Sequence, residues 1–161
     1  FELLIKKVSS MLRNELNSAM KDALKKKEQK TLATIRLILA ALKDRDIVAR
    51  GKGNSDGISD DEVLSMLQSM IKQRRDSISM YEQAGRCDLA EGEESEIKVI
   101  TSFMPKQLSD EEINTCVKEA IAELNASSLK DMGKIMSLLK EKYLGRMDFG
   151  KASSLVKKNF V

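Results

Sequence analysis

Apolar residues recur every three to four positions along most of this chain, which is the spacing that lines one face of an α-helix. A first apolar stripe opens at Met11 and predicts a helix that ends in the run Lys25-Lys26-Lys27, where cations meet the negative end of the helix dipole. A second stripe predicts another helix, and the glycine-rich segment 51–57 after it predicts a loop. The predicted inward positions are Leu12, Leu16, Ala19, Met20, Ala23 and Leu24 in the first helix and Leu32, Ile35, Ile38, Leu39, Leu42 and Ile47 in the second.

Polar residues in front of the next two stripes predict where those helices begin. Ser59 and Glu62 have the spacing of a capping box, in which the serine and glutamate side chains satisfy free backbone N–H groups of the first turn. A third helix is therefore predicted to begin there, and Gly85 is its predicted end. Asp88 and Glu91 repeat the capping spacing and predict the start of a fourth helix.

The single proline, Pro105, divides the predicted helices into two sets, because a residue that precedes proline is driven out of the helical conformation. Beyond it, Ser109 opens a fifth helix with a further capping box. Residues 129–143 predict a sixth helix that ends at Gly145, and a last short helix starts near Asp148. No segment shows the alternation of a strand, so we predict an all-α protein.

The position of the proline also predicts how the chain is divided. We expect an amino-terminal helical bundle over residues 11–104, built from four helices, and a small three-helix subdomain over residues 105–161. Residues 1–10 precede the strong pattern, and we interpret them as a native extension or a remnant of cloning.

The composition then excludes several kinds of chemistry. The chain has 161 residues, no histidine and two cysteines, which rules out Ser-His-Asp catalysis, Cys-His catalysis and histidine-based zinc sites within it. We therefore predict no catalytic residue, no metal and no cofactor. No apolar run approaches the ~20 residues that cross a membrane, so no membrane partner is expected. Two cysteines cannot build a disulfide framework, which favours a reducing compartment, and we predict a cytoplasmic location.

Charge is concentrated at the carboxyl end. The whole chain has 28 basic and 25 acidic residues, a net charge of +3, yet residues 134–161 alone carry seven basic and two acidic residues. Such a cluster can bind phosphates by releasing their counterions, and the alternative is an ordinary solvated helix surface. No aromatic ladder accompanies the cations, so stacking of single-stranded bases is not expected. The predicted nucleic-acid-binding residues are Lys134, Lys140, Lys142, Arg146, Lys151, Lys157 and Lys158.

Two glycines stand next to members of this basic cluster. Gly133 and Gly150 lie within predicted helices, where glycine costs ~1 kcal/mol relative to alanine. Close approach of another helix would justify them, and so would close approach of an RNA backbone. Lys134 and Lys151 follow the two glycines directly, which is the best local indication of a binding face.

Short motifs occur in a fixed order along residues 11–160. They are Leu32-Ala33-Thr34-Ile35-Arg36-Leu37-Ile38, Ile71-Lys72-Gln73-Arg74-Arg75, Ala84-Gly85-Arg86-Cys87-Asp88, Glu93-Glu94-Ser95-Glu96, Met104-Pro105-Lys106-Gln107-Leu108, Lys130-Asp131-Met132-Gly133-Lys134 and Gly145-Arg146-Met147-Asp148-Phe149-Gly150. As an ordered series they resemble the GatB/YqeY family. The residues taken from the match are Arg36, Lys72, Arg74, Arg86, Asp88, Glu93, Pro105, Gly133, Gly145 and Gly150. Arg74, Arg75 and Arg86 lie near Asp76 and Asp88 in the sequence. These arginines are expected to form ion pairs that brace the junction of the third and fourth helices or, alternatively, to contact a ligand.

The resemblance implies an all-helical YqeY-like protein, whose carboxyl part is similar to the tail domain of the B subunit of the tRNA-dependent amidotransferase. That enzyme amidates misacylated tRNA with glutamine as nitrogen donor, and its tail contacts tRNA while the chemistry lies elsewhere. The family label is carbon–nitrogen ligase activity with glutamine as amido donor, but this sequence lacks an amidase-type Ser-Ser-Lys scaffold. We therefore expect a non-catalytic module that binds tRNA or an amidotransferase complex. The alternatives are a participant in glutamine-dependent amidation and a protein–protein interaction module with no RNA role.

Overall fold

A computed structural model describes residues 11–161, so the interpretation of residues 1–10 lies outside the described residues. The described chain forms seven α-helices and one short 3-10 helix and contains no strand, which confirms the all-α prediction. Within residues 11–161, no helix combines the length and apolar character that a membrane crossing requires. The helices are α1 (Met11–Lys26), α2 (Gln29–Gly51), α3 (Asp60–Gln83), α4 (Cys87–Thr101), α5 (Asp110–Glu123), the 3-10 helix Leu129–Asp131, α6 (Met132–Tyr143) and α7 (Phe149–Asn159). The chain divides into two compact units, of which the first ends at Met104 and the second spans Pro105–Val161.

Helices α1 to α4 build the first unit, and their apolar stripes meet in one core. Helices α3 and α4 pack along each other, while α2 contacts the other three helices. The buried core residues are Leu16, Ile38, Leu42, Ile58, Val63, Met66, Leu67, Met70, Ile71 and Ile100. The prediction that Leu24 and Ile47 face the core is wrong, since both side chains are about half exposed. Leu24 lies in the last turn of α1, and the inward position that Ile47 was expected to fill belongs to its neighbour Asp46.

Asp46 is a buried carboxylate one turn beyond Leu42 on the inner side of α2. Its two oxygens accept hydrogen bonds from the guanidinium of Arg13 in α1, at 2.5 Å from Nη1 and 2.8 Å from Nη2. The backbone N–H of Ile58 also donates to Oδ1 of Asp46, at 2.9 Å, and Nη2 of Arg13 donates to the carbonyl oxygen of Ile58. The hydrogen bond from Arg13 lowers the pKa of Asp46 below its ordinary value. These bonds tie α1, α2 and the loop before α3 together.

Two helices begin as their capping boxes predict. The backbone N–H of Ser59 donates to Oε2 of Glu62 at 2.8 Å, and the Ser59 side chain accepts from the backbone of Glu62. Ser109 and Glu112 repeat this arrangement at the start of α5, with a distance of 2.7 Å between the serine N and Oε2. Each box satisfies two backbone donors that the first helical turn leaves free.

The junction of α3 and α4 differs from its prediction in two details. The residue before the first turn of α4 is Arg86, so the predicted cap at Asp88 is wrong, and Asp88 instead pairs with Arg86 at 3.2 Å. Nε of Arg74 lies 2.8 Å from Oε2 of Glu96, an ion pair that joins α3 to α4, with Glu96 rather than Asp76 as the acidic partner. Residues two apart on a helix do not face each other, which explains why Arg74 reaches across to the neighbouring helix instead.

The second unit consists of α5, α6 and α7, each of which contacts the other two. Hydrogen bonds join the segment that enters α5 to the loop between α6 and α7. The backbone N–H of Leu108 donates to the carbonyl of Arg146 at 2.8 Å, and the Gln107 side chain donates to the carbonyl of Gly145 at 2.6 Å. Gly145 has a φ of +79°, a conformation that favours glycine. The buried residues of this unit are Ile113, Val117, Ala120, Ile135, Leu139, Met147, Ala152 and Val156.

Candidate nucleic-acid interface

Helix α7 has one apolar side and one side that is entirely basic or neutral. Ala152 and Val156 are completely buried in the second core. The helix itself contains three lysines and no acidic residue, and all three lysines are exposed. At its start, the side chain of Asp148 accepts hydrogen bonds from the backbone N–H groups that open the helix. We define the α7 face as the exposed residues Gly150, Lys151, Ser154, Lys157 and Lys158.

Helix α6 is arranged in the same way. Ile135 and Leu139 are completely buried in the second core, and the opposite side of the helix is exposed. An acidic residue, Glu141, shares that side with the lysines, so the surface is less positive than that of α7. We define the α6 face as the exposed residues Gly133, Lys134, Ser137, Lys140 and Glu141.

The two glycines of these faces are not explained by helix packing. A Cβ atom added at Gly133 would have no neighbour within 4 Å. One added at Gly150 would meet only Oδ1 of the capping residue Asp148, at 3.2 Å. Close approach of another helix therefore does not explain either glycine, and that prediction is wrong for both positions. Each glycine is the second residue of its helix rather than an interior residue, which reduces its cost.

Three of the seven predicted nucleic-acid-binding cations have a partner inside the second unit. Nζ of Lys142 lies 2.5 Å from Oε2 of Glu123, a hydrogen bond that raises the pKa of Lys142. Nζ of Lys151 lies 2.9 Å from Oδ1 of Asp110. Arg146 donates from Nε to a backbone carbonyl in the segment that enters α5, at 3.2 Å. Both ion pairs are exposed to solvent, which screens the attraction between their charges, so a phosphate can compete for these lysines.

The other four cations are exposed, and no ion pair joins any of them to another residue in the range 11–161. They are Lys134 and Lys140 on α6 and Lys157 and Lys158 on α7. These four ammonium groups remain available to an anionic ligand. The structure thus separates the predicted cluster into four available lysines, two lysines in exchangeable pairs and one arginine that braces a loop.

The two faces also belong to a sequence repeat, which the individual motifs of the sequence do not reveal. Residues 131–141 and 148–158 are identical at six of eleven positions without a gap. The identical residues are an aspartate, a glycine, two lysines, a serine and a leucine, which give the shared pattern Asp-x-Gly-Lys-x-x-Ser-Leu-x-Lys. The buried residues of α6 and α7 occupy equivalent positions of the repeat, as do the exposed lysines. Comparing the chain with itself at an offset of 17 residues would have revealed the repeat.

The remaining residues taken from the family match are not members of these two faces. Arg36 on α2 and Lys72 on α3 are exposed, and Glu93 on α4 is half-buried. Arg74, Arg86 and Asp88 form the ion pairs described above, and Pro105 is the first residue of the second unit. None of these residues belongs to the basic surface of the second unit.

No arrangement of catalytic groups emerges among the described residues. Across residues 11–161, no three cysteine, aspartate or glutamate side chains converge as a metal ion would require. Cys87 is exposed at the start of α4, and Cys116 is half-buried against the second core. The first unit has an open cleft of about 410 Å³ between α1, α2 and α4, lined by apolar residues and by charges of both signs. The two basic helix faces are therefore the strongest candidate for a functional site.

Comparison with known proteins gives one family and several fungal relatives. The model of a family described as Yqey-like protein matches residues 13–160. A protein of Lachancea thermotolerans named "Altered inheritance of mitochondria protein 41, mitochondrial" is 34% identical over 121 residues, covering 73% of this chain and 59% of that protein. The protein of the same name from Candida glabrata is 34% identical over 125 residues, covering 74% of this chain and 63% of its own length. The chain thus spans less than two thirds of the length of these relatives.

The names of these relatives correct one prediction. The cytoplasmic location expected from the sequence is wrong, because the relatives that resemble the chain over most of its length are named as mitochondrial proteins. The expectation rested on the small number of cysteines. A low cysteine content indicates a reducing environment, and that property does not distinguish one intracellular compartment from another.

Proposed function

Because this chain belongs to the YqeY-like family, we propose that it is a non-catalytic tRNA-binding module associated with glutamine-dependent amidation of tRNA. The second unit is the part that resembles the tail of the amidotransferase B subunit, and it would contact the tRNA. Following the names of the relatives, we place this role in mitochondria.

The observation that carries the proposal is the α7 face. Three exposed lysines lie on a helix that has no acidic residue of its own. Lys157 and Lys158 have no ion-pair partner among the described residues, and Lys151 has only the exposed pair with Asp110. The phosphate backbone of RNA is the cellular polyanion that such a surface attracts, and release of its counterions supplies the free energy of binding. Neighbouring glycine and serine residues keep the surface shallow, which lets a backbone lie close to the helix.

Catalysis is assigned to a partner rather than to this chain. The sequence has no histidine, and no set of three side chains among residues 11–161 could hold a metal ion. Amidation would therefore use the active site of an amidotransferase. The proposed contribution of this chain is to hold tRNA near that enzyme. Incubating the chain with glutamine, ATP and misacylated tRNA should then give no amide product unless an amidotransferase is added.

The salt dependence of tRNA binding tests the proposal. We expect the full chain to bind tRNA in fluorescence anisotropy titrations with a log–log slope of about −4 against salt concentration, because five lysines on the two faces each displace close to one counterion. Raising the salt from about 50 to about 200 mM should therefore weaken binding by roughly 250-fold. Binding that does not change with salt, or no binding at low salt, would reject the proposal.

A second candidate function is favoured by a different surface. The outer side of α2 exposes three large apolar residues, Leu37, Ile47 and Val48, which are each about half exposed. Exposed apolar surface is typical of protein–protein contacts where it is contiguous. If the chain is an interaction module with no RNA role, it should fail to bind tRNA and should retain a stoichiometric protein partner after nuclease treatment.

A further inference from the structure

The second unit contains one sequence pattern twice, once at α6 and once at α7. Residues 131–141 and 148–158 place equivalent side chains on equivalent sides of α6 and α7. Ile135 and Leu139 of the first copy, and Ala152 and Val156 of the second, are completely buried in one shared core. Of the other repeated residues, the aspartate precedes the first turn of each helix. The glycine, the serine and the two lysines do not belong to the core, and all of them are exposed in both copies.

The exposed residues of each copy have a consistent geometry. With 3.6 residues per turn, a glycine and a serine four positions apart lie one above the other at the centre of the exposed side. The two lysines are six positions apart, so they flank that centre on opposite sides and are separated by about 9 Å along the helix axis. Each copy therefore presents a shallow strip with one cation on either side.

Packing does not explain why these positions repeat. Nothing lies within 4 Å of a Cβ built at Gly133, and Lys134 and Lys140 have no ion-pair partner in the described part of the chain. In the second copy, Lys157 likewise has no ion-pair partner among the described residues, whereas Gly150 and Lys151 donate their backbone N–H groups to the cap Asp148 and Lys151 pairs with Asp110. Exposed side chains that recur together without a role in the core indicate contact with something outside the unit. Their charge identifies the chemistry of that ligand as anionic.

We propose that the second unit has two equivalent contact sites for the phosphate backbone of one RNA molecule, the α6 face and the α7 face. This inference rests on the proposed function and adds a second site to it. Helices α6 and α7 contact each other, so an RNA that touches both faces would pass from one helix to its neighbour. The α6 face is the weaker of the two, since Glu141 occupies the position that Lys158 occupies in the other copy.

Neutralising the lysines of each face tests the proposal. The variants are Lys134→Gln with Lys140→Gln, Lys151→Gln with Lys157→Gln, and all four together. Each pair should weaken tRNA binding by the full chain about 10-fold and reduce the magnitude of the salt slope by about 2, and the two losses should add. The matched control changes Lys106 and Lys118, two exposed lysines of the same unit that lie outside both faces. This control variant should change the affinity for tRNA by less than about 3-fold.

A variant that is expected to bind tRNA more tightly gives a second test, because a folding defect would not increase the affinity. Glu141→Lys completes the repeat on α6 and should raise the affinity about 10-fold. The same charge change at Glu94, an exposed residue of the first unit, should have a much smaller effect. If the α6 variants behave like their controls while the α7 pair weakens binding, the second site is rejected and the proposed function stands. If the unchanged chain does not bind tRNA, the proposed function itself fails.

Discussion

Reversing the charge of the α7 face, with Lys151, Lys157 and Lys158 all changed to glutamate, is expected to weaken tRNA binding by about 100-fold at roughly 100 mM salt. Each substitution removes one phosphate contact and adds a repulsion at the same place. All three side chains are exposed, so the core formed by Ala152 and Val156 is left intact. Circular dichroism should show that the variant remains helical.

The control for this reversal places the same charge change in the first unit. Lys21 and Lys25 of α1 and Lys30 of α2 are also exposed lysines near one another in the sequence. Changing all three to glutamate alters the net charge of the chain by the same amount. If the two triple variants weaken binding equally, the chain attracts RNA through its overall charge and the α7 face has no special role.

The largest expected effect on stability comes from Asp46. Replacing it with alanine should lower the free energy of unfolding of the first unit by about 3 kcal/mol, because a partly buried guanidinium and a buried backbone N–H lose their partner at once. The guanidinium of Arg13, whose side chain is 23% exposed, would lose its counterion. The backbone N–H of Ile58 would lose its acceptor. Asp44→Ala, which removes an exposed carboxylate from the same helix, should change stability by only about 0.5 kcal/mol or less.

Urea unfolding can report on the first unit alone. The chain has two tyrosines and no tryptophan, with Tyr81 in the first unit and Tyr143 in the second. In a Tyr143→Phe background, tyrosine fluorescence therefore follows the first unit. An Asp46→Ala variant that unfolds at the same urea concentration as its Asp44→Ala counterpart would show that the bonds between Arg13 and Asp46 contribute little.

The same carboxylate gives a pH dependence whose sign follows from its pKa. The pKa of Asp46 lies below its ordinary value of 3.8, chiefly because the Arg13 side chain hydrogen-bonds to the charged form. The stabilisation is therefore present above about pH 4 and is lost as the pH falls through the lowered pKa. The difference in stability between the unchanged chain and Asp46→Asn should shrink over that acidic range.

The loop next to Asp46 shows why the sequence alone did not reveal this interaction. Gly57 has a φ of +83°, and a Cβ there would lie 2.4 Å from Oδ1 of Asp46, so only glycine permits the contact. The glycine was correctly assigned to a loop, but its role depends on a carboxylate 11 residues away in the sequence. Arg13 is 33 residues from Asp46, and no local pattern connects the two. A charged residue in an apolar stripe resembles an interruption until its partner is known.

Features that depend on neighbouring residues were predictable. The capping boxes at Ser59 and Ser109 involve residues three positions apart, and both helices begin where the sequence indicates. The basic cluster could also be listed from the sequence, but which of its members form ion pairs depends on α5. Lys142 and Lys151 find their partners Glu123 and Asp110 on that helix, through contacts that residue spacing cannot show.

Lysine footprinting tests most directly whether the second unit binds tRNA through its helix faces. The full chain would be treated with an amine-acetylating reagent with and without tRNA, and the modification of each lysine would be measured by mass spectrometry. We expect tRNA to protect Lys134, Lys140, Lys157 and Lys158 strongly and to leave Lys21, Lys25 and Lys30 unchanged. Protection that is absent from the second unit, or spread evenly over all exposed lysines, would contradict the assignment of tRNA binding to these faces.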